Sequence, residues 1–82
     1  MLHLYRKQKQ KIFIGDDPLQ VLEVTHDNFT CSFQGKQHIV TKGSMYQISP
    51  ETIICYLRKQ GAGIRLQLTS TLKILKEELY NV

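Results

Sequence analysis

Apolar and polar residues alternate with period two in short runs along most of this chain, and Gly-, Pro- and Asn-containing turns separate the runs. One segment breaks the alternation with helix start and stop signals. Together these features predict a small, mainly β domain carrying one short α-helix. With 82 residues there is no room for a second domain.

The elements follow in order. Residues 1–7 alternate, with Leu2, Leu4 and Arg6 on one side and His3, Tyr5 and Lys7 on the other. Lys11 to Ile14 alternates again, with Ile12 and Ile14 sharing a face. Gly15-Asp16-Asp17-Pro18 closes that strand, because Gly takes positive φ cheaply and Pro ends sheet pairing. Leu19 to Thr25 is rich in aliphatic and β-branched residues and predicts a third strand. His26-Asp27-Asn28 turns the chain into Phe29–Phe33, where Phe29, Cys31 and Phe33 share a face. Gln34-Gly35-Lys36 then leads into His38–Thr41, which predicts a hairpin.

At Ser49 the pattern changes. Ser49 suits an N-cap, Pro50 the first helical position, and Glu51 the positive helix end. Ile53, Ile54 and Leu57 then fall on one helical face, and Arg58-Lys59 precede Gly61 as a stop. A helix of about three turns is expected there. Period two returns in residues 64–68 and 72–76, and the tail EELYNV is expected to form a final helical turn.

Composition limits the class. The chain is 41% hydrophobic and 22% charged with no Trp, which excludes disorder and collagen. No apolar run approaches the roughly 20 residues of a membrane helix, so a cytoplasmic protein with reduced thiols is expected and no membrane partner. A chain this short buries only about 60–65% of its unfolded surface. Cys31 and Cys55 form no Cys-x-x-Cys pair, so oligomerisation is the expected source of extra stability.

The net charge of +4 is unevenly spread. Arg6, Lys7, Lys9 and Lys11 lie in the first fifteen residues with no acid among them. Such a cluster either guards an exposed strand edge or forms a phosphate-binding surface, and the interleaved Leu2, Leu4 and Tyr5 favour the second.

The residues of catalysis do not assemble. His3, His26 and His38 are scattered, and Asp16-Asp17 reads as turn chemistry rather than a metal site. Gly61-x-Gly63 follows the expected helix instead of a strand, so it is no phosphate loop. Cys31 and Cys55 read as small core residues. No enzyme activity, cofactor or metal is expected.

The N-terminal string MLHLYRK, followed by IFIGDD and LQVLEV, resembles the start of the carbon storage regulator family of bacterial post-transcriptional regulators. That family begins M-L-x-L-x-R-[KR] and continues through I-x-I-G-D-[DE]. Met1, Leu2, Leu4, Arg6, Lys7, Ile12, Ile14, Gly15, Asp16 and Asp17 match in order. The family's last strands read V-R-I-G-V and V-x-V-H-R-E-E-I-Y; this chain has Ile64–Leu68 and then Leu72 to Tyr80, ending KEELY. The resemblance covers about half the chain, with core strands at about 1–25 and 63–80. An insertion at about 26–62 holds the predicted hairpin and helix.

The resemblance implies an interlaced β-barrel or sandwich homodimer, in which strand one of one chain lies beside strand five of the other. It implies binding of messenger or small regulatory RNA at hairpin loops displaying GGA, and so control of translation. The implied RNA contacts are Leu4, Tyr5, Arg6 and Lys7 in the first strand and Ile74, Leu75 and Lys76 in the last. Several positions depart from the family. Lys76 stands for its principal arginine, Leu75 for a histidine, Ser70-Thr71 for an Ala-Pro pair, and Lys9-Gln10 for Gly-Glu. Lysine keeps the charge but loses the planar fork. A second expectation from these departures is a protein-interaction or antagonist version of the fold, engaging a protein partner through residues 26–62.

Overall fold

Period two governs more of the chain than its sequence predicts. The computed structural model describes residues 2–80; Met1 of the N-terminal motif and Asn81-Val82 of the predicted tail lie outside the described residues. The strands are β1 (Leu2–Lys7), β2 (Lys11–Ile14), β3 (Asp17–Val24), β4 (Asn28–Phe33), β5 (Lys36–Thr41), β6 (Met45–Ser49), β7 (Thr52–Gln60), β8 (Gly63–Ser70) and β9 (Ile74–Lys76). One helical turn, α1 (Glu77–Tyr80), follows β9 as the tail predicts.

The helix expected after Ser49 is a strand. Ser49-Pro50-Glu51-Thr52 is the tight turn between β6 and β7, and Pro serves a turn's second position as readily as a helix's first. Beyond it Thr52, Ile54 and Tyr56 are buried while Ile53 and Cys55 are half-exposed, which is a strand's alternation. Three β-branched residues in a row and a Tyr fit a pleated surface better than a helix. The neighbours settle the matter, since β7 pairs antiparallel with β6 on one side and β8 on the other. Cys55 therefore lies half-exposed on the outer face of its sheet, opposite Met45 and Gln67, and not in the core. Pro18 also departs from expectation: it lies within β3, one residue beyond the last residue paired with β4, where its missing N–H breaks no bond to that strand.

Two antiparallel sheets result, a four-stranded one ordered β1-β8-β7-β6 and a five-stranded one ordered β5-β4-β3-β2-β9. Leu4, Ile48, Ile54, Tyr56, Ile64, Leu66 and Leu68 of the first sheet meet Ile12, Ile14, Leu19, Val21, Phe29, Cys31, Phe33 and Val40 of the second in one buried cluster. The small β domain is thus a sandwich. At its centre Phe29 and Tyr56 pack edge-to-face at 5.4 Å, and the buried Tyr56 hydroxyl donates to the Thr25 carbonyl at 2.8 Å. Burial pushes the Cys31 thiol up to about 12, so it stays protonated and inert.

Residues 28–60 are integral to this core. They supply two strands to each sheet and, with Phe29, Cys31, Phe33, Val40, Ile48, Ile54 and Tyr56, nearly half of the cluster. Among the described residues no helix is long and apolar enough to cross a membrane.

A bulge in β7 matters for the outer surface. Tyr56 pairs with Leu66, but Arg58 pairs with Arg65, leaving Leu57 as the extra residue. Without it Arg58 would continue the inward phase of Ile54 and Tyr56. The bulge turns Arg58 outward.

Two substitutions test this fold by urea unfolding. Phe29→Ala is expected to cost roughly 3–5 kcal/mol, as for other buried aromatics. Lys9 sits at φ 74°, a left-handed conformation. Relief of that strain, about 1–2 kcal/mol, outweighs glycine's entropy cost of about 0.5–1 kcal/mol, so Lys9→Gly is expected to stabilise the chain slightly.

Candidate nucleic-acid interface

β1 and β9 are both edge strands. β1 pairs only with β8 and β9 only with β2, so the outer side of each carries no strand among the described residues. The two edges belong to different sheets but are tied together by one side chain. Arg6 falls on the inward side of β1 with Leu4 and is only 4% exposed. A buried guanidinium requires a counter-charge and full hydrogen bonding. Arg6 obtains both from the turn after β9, as its Nη1 and Nη2 donate to Glu78 Oε1 and Oε2 at 2.9 and 3.1 Å. Its Nε donates to the Tyr5 carbonyl at 2.8 Å and Nη1 also to the Lys11 carbonyl at 3.2 Å. Glu77 extends the clamp by accepting from the Lys11 backbone N–H at 3.3 Å.

The seven residues drawn from the family resemblance therefore divide. Leu4 is in the core, and Arg6 is committed to Glu78. Tyr5 lies half-buried on the outer face of β1, with its hydroxyl donating to the Gln60 carbonyl at 3.1 Å. Lys7, at the end of β1, is exposed. Ile74 and Leu75 are half-buried in β9, Ile74 against the core, and Lys76 is exposed. Among the described residues no strand pairing joins β1 to β9; the Arg6–Glu78 pair links their ends.

Charge is segregated between the sheets. The strands of the four-stranded sheet hold Arg6, Lys7, Arg58, Lys59 and Arg65 and no Asp or Glu. The seven acids all lie elsewhere, in β3, in α1, or in the turns at Asp16, Asp27 and Glu51. With Arg6 neutralised by Glu78, the outer surface of this sheet is uniformly cationic, as a polyanion-binding surface requires. The N-terminal cluster is only part of it. The signal for the rest is present in the sequence, since residues 52–76 contain Arg58, Lys59, Arg65, Lys73 and Lys76 with no acid among them. A helix reading of residues 49–60 hides it, because it takes Arg58 out of the sheet that carries Arg65.

The histidines stay apart. His38 Nδ1 is 2.8 Å from the Tyr46 hydroxyl, and His26 Nε2 lies 3.3 Å from Lys42 Nζ. Among the described residues no three His, Cys, Asp or Glu side chains are grouped to hold a metal ion. No family model, curated protein or solved structure matches the chain.

The clamp predicts a pH dependence. Hydrogen bonds from Arg6, then one from its own backbone, hold the Glu78 carboxyl at about 2, below its ordinary 4.5. A carboxylate with a lowered folded-state value contributes stability that is complete above its unfolded value and is lost as pH falls. The melting temperature of the wild type is therefore expected to drop between pH 4.5 and 2 more steeply than that of Glu78→Gln. Parallel profiles would show that the pair does not hold the edge. Arg6→Ala is expected to lower the melting temperature at neutral pH as well, because Arg6 is buried.

Proposed function

We propose that this protein is an RNA-binding post-transcriptional regulator that recognises GGA-type hairpin loops as a homodimer in the cytoplasm. The observation that carries the reading is the acid-free cationic sheet, which ends in the free edge of β1 and is held beside the free edge of β9. Phosphates of a looped-out strand are attracted to such a surface, while unstacked bases can reach the backbone groups of a strand edge.

Three features support a carbon-storage-regulator-like arrangement. Lys9 occupies a left-handed backbone position where that family has glycine, so the chain keeps the turn despite losing the residue. β8, β9 and α1 follow one another in the family's order, with KEELY forming the end of β9 and the helical turn. And β1 is an uncharged edge except at Arg6 and Lys7, with no Pro to prevent another strand from pairing with it. In the proposed dimer β1 of each chain pairs with β9 of the other, which brings Lys76 of one chain near Tyr5 and Lys7 of its partner. The protein acts by occupancy, with no catalytic step.

The test is a fluorescence-anisotropy titration with a GGA-loop hairpin and a CCA-loop control at one fixed salt concentration. A clear preference for GGA is expected. Lys76→Ala should weaken binding by about 1–3 kcal/mol and reduce the salt slope by about one. Equal, weak, salt-sensitive binding to both hairpins would remove the loop-recognition reading and turn attention to a protein partner for residues 26–62.

A further inference from the structure

The outer face of the four-stranded sheet carries a groove of about 290 Å³ lined by His3, Leu57, Arg58, Arg65 and Leu66. It opens on the face of the sheet across β1, β8 and β7, with only His3 contributed by the edge strand β1, and its cations are arranged in an unusual way. Arg58 and Arg65 stand directly opposite each other on β7 and β8. Like charges in that relation are destabilising. The Leu57 bulge creates the pairing, since it brings Arg58 to the outer face.

Arg65 is held in place. Its guanidinium lies over the Tyr5 ring, 5.6 Å from the centroid, and its Nε donates to Gln60 Oε1 at 3.0 Å. Tyr5 is held in turn. Its hydroxyl donates to the Gln60 carbonyl, and its ring lies where a side chain at position 63 would project. A Cβ at Gly63 would come within 2.8 Å of that ring and 2.5 Å of the Arg6 carbonyl oxygen, so only glycine fits. The result is an oriented arginine whose two terminal nitrogens are left to donate. Arg58 has no hydrogen-bond or ion-pair partner among the described residues. His3 and Leu57 complete the walls, a polar ring and an apolar side chain. No acid lies on any strand of this sheet.

We infer that this groove binds a nucleotide of a single RNA strand, with Arg58 and Arg65 clamping one phosphate between them and Leu57 and His3 flanking the sugar or base. An anion between the two arginines relieves their repulsion, and the planar fork of Arg65 suits a phosphate. The inference rests on the reading of the protein as an RNA binder and adds a contact surface for the strand that flanks a recognised loop.

Two probes separate this groove from the loop site: a labelled, unstructured uridine decamer, and a GGA-loop hairpin without single-stranded flanks. The double variant Arg58→Ala/Arg65→Ala is expected to bind the decamer at least tenfold more weakly. Its salt slope should fall by about 0.7, the value for one lost phosphate contact on a single strand. Affinity for the flankless hairpin, whose loop meets the edges of β1 and β9, should fall by a clearly smaller factor than that for the decamer. Arg65→Lys should keep the salt slope yet lose several-fold in decamer affinity, a readout that general positive charge would not move. An unaltered thermal melt would establish that both variants remain folded; should the double variant melt early, Arg58→Ala alone, at an exposed position, gives the same comparison. Unchanged decamer binding in the variants, no decamer binding by the wild type, or an equal loss with blunt duplex RNA would each overturn the groove. Failure of the hairpin to discriminate GGA from CCA, with the decamer effect intact, would overturn the loop reading and leave the groove standing.

Discussion

A positive charge on the inward side of the first strand is the constraint around which one flank of this molecule is built. The pleat that turns Leu4 into the core turns Arg6 inward as well. Desolvating a guanidinium without a partner is prohibitive, so a carboxylate must be delivered to it. Glu78 arrives from the other end of the chain, and the short turn that carries it also sets the end of β9. The N-terminal and C-terminal edges are thus fixed relative to each other by a two-pronged ion pair rather than by a shared sheet. Because Glu78 is 57% exposed, the pair is screened by water, and its role is geometric more than energetic.

Once Arg6 is neutralised from that side, the remaining cations of the four-stranded sheet have one place to go. Inner positions of β7 and β8 are taken by Ile54, Tyr56, Ile64, Leu66 and Leu68, so Arg65 points outward by alternation. Arg58 would not, and the Leu57 bulge corrects its phase. The acids meanwhile sit in the turns, in β3 and in α1, where they cannot cancel this field by direct pairing across a strand. A repulsive Arg–Arg pair is tolerable in a stable sandwich, and it is informative because nothing in the packing of the core demands it.

Much of the fold was legible because period two is a strong signal wherever one face is buried. The alternation in β1 and β2, the hairpin of β4 and β5 and the terminal turn could all be read from local pattern. The Ser49–Gly61 segment could not. Its turn residues are also helix caps, and Ile53, Ile54 and Leu57 satisfy a helical stripe as well as they interrupt a strand. The bulge at Leu57 is what made the strand period look broken. β6 did not announce itself because its buried residues, Ile48 and Ser49, are consecutive and give no alternation. The site was half legible for a related reason. Tyr5 and Lys7 could be placed on an outer face from β1 alone, whereas the Tyr5–Arg65–Arg58 row exists only through pairing across three strands.

The strands β4 to β7 also alter what a dimer would mean for such a chain. A short chain of five strands gains from a partner the core it cannot form alone. Here residues 28–60 contribute Phe29, Tyr56 and five further core side chains, and the sandwich closes around them within one chain. Pairing β1 with β9 of a second copy would then satisfy strand edges without being required to bury the core. Stability and assembly, inseparable in an obligate dimer, become separate quantities. That separation allows the edge residues to be set by what they bind. It also accounts for an outer sheet face free to carry Lys7, Arg58 and Arg65 with no acid on the same sheet, while Arg6 is paired on the inner side.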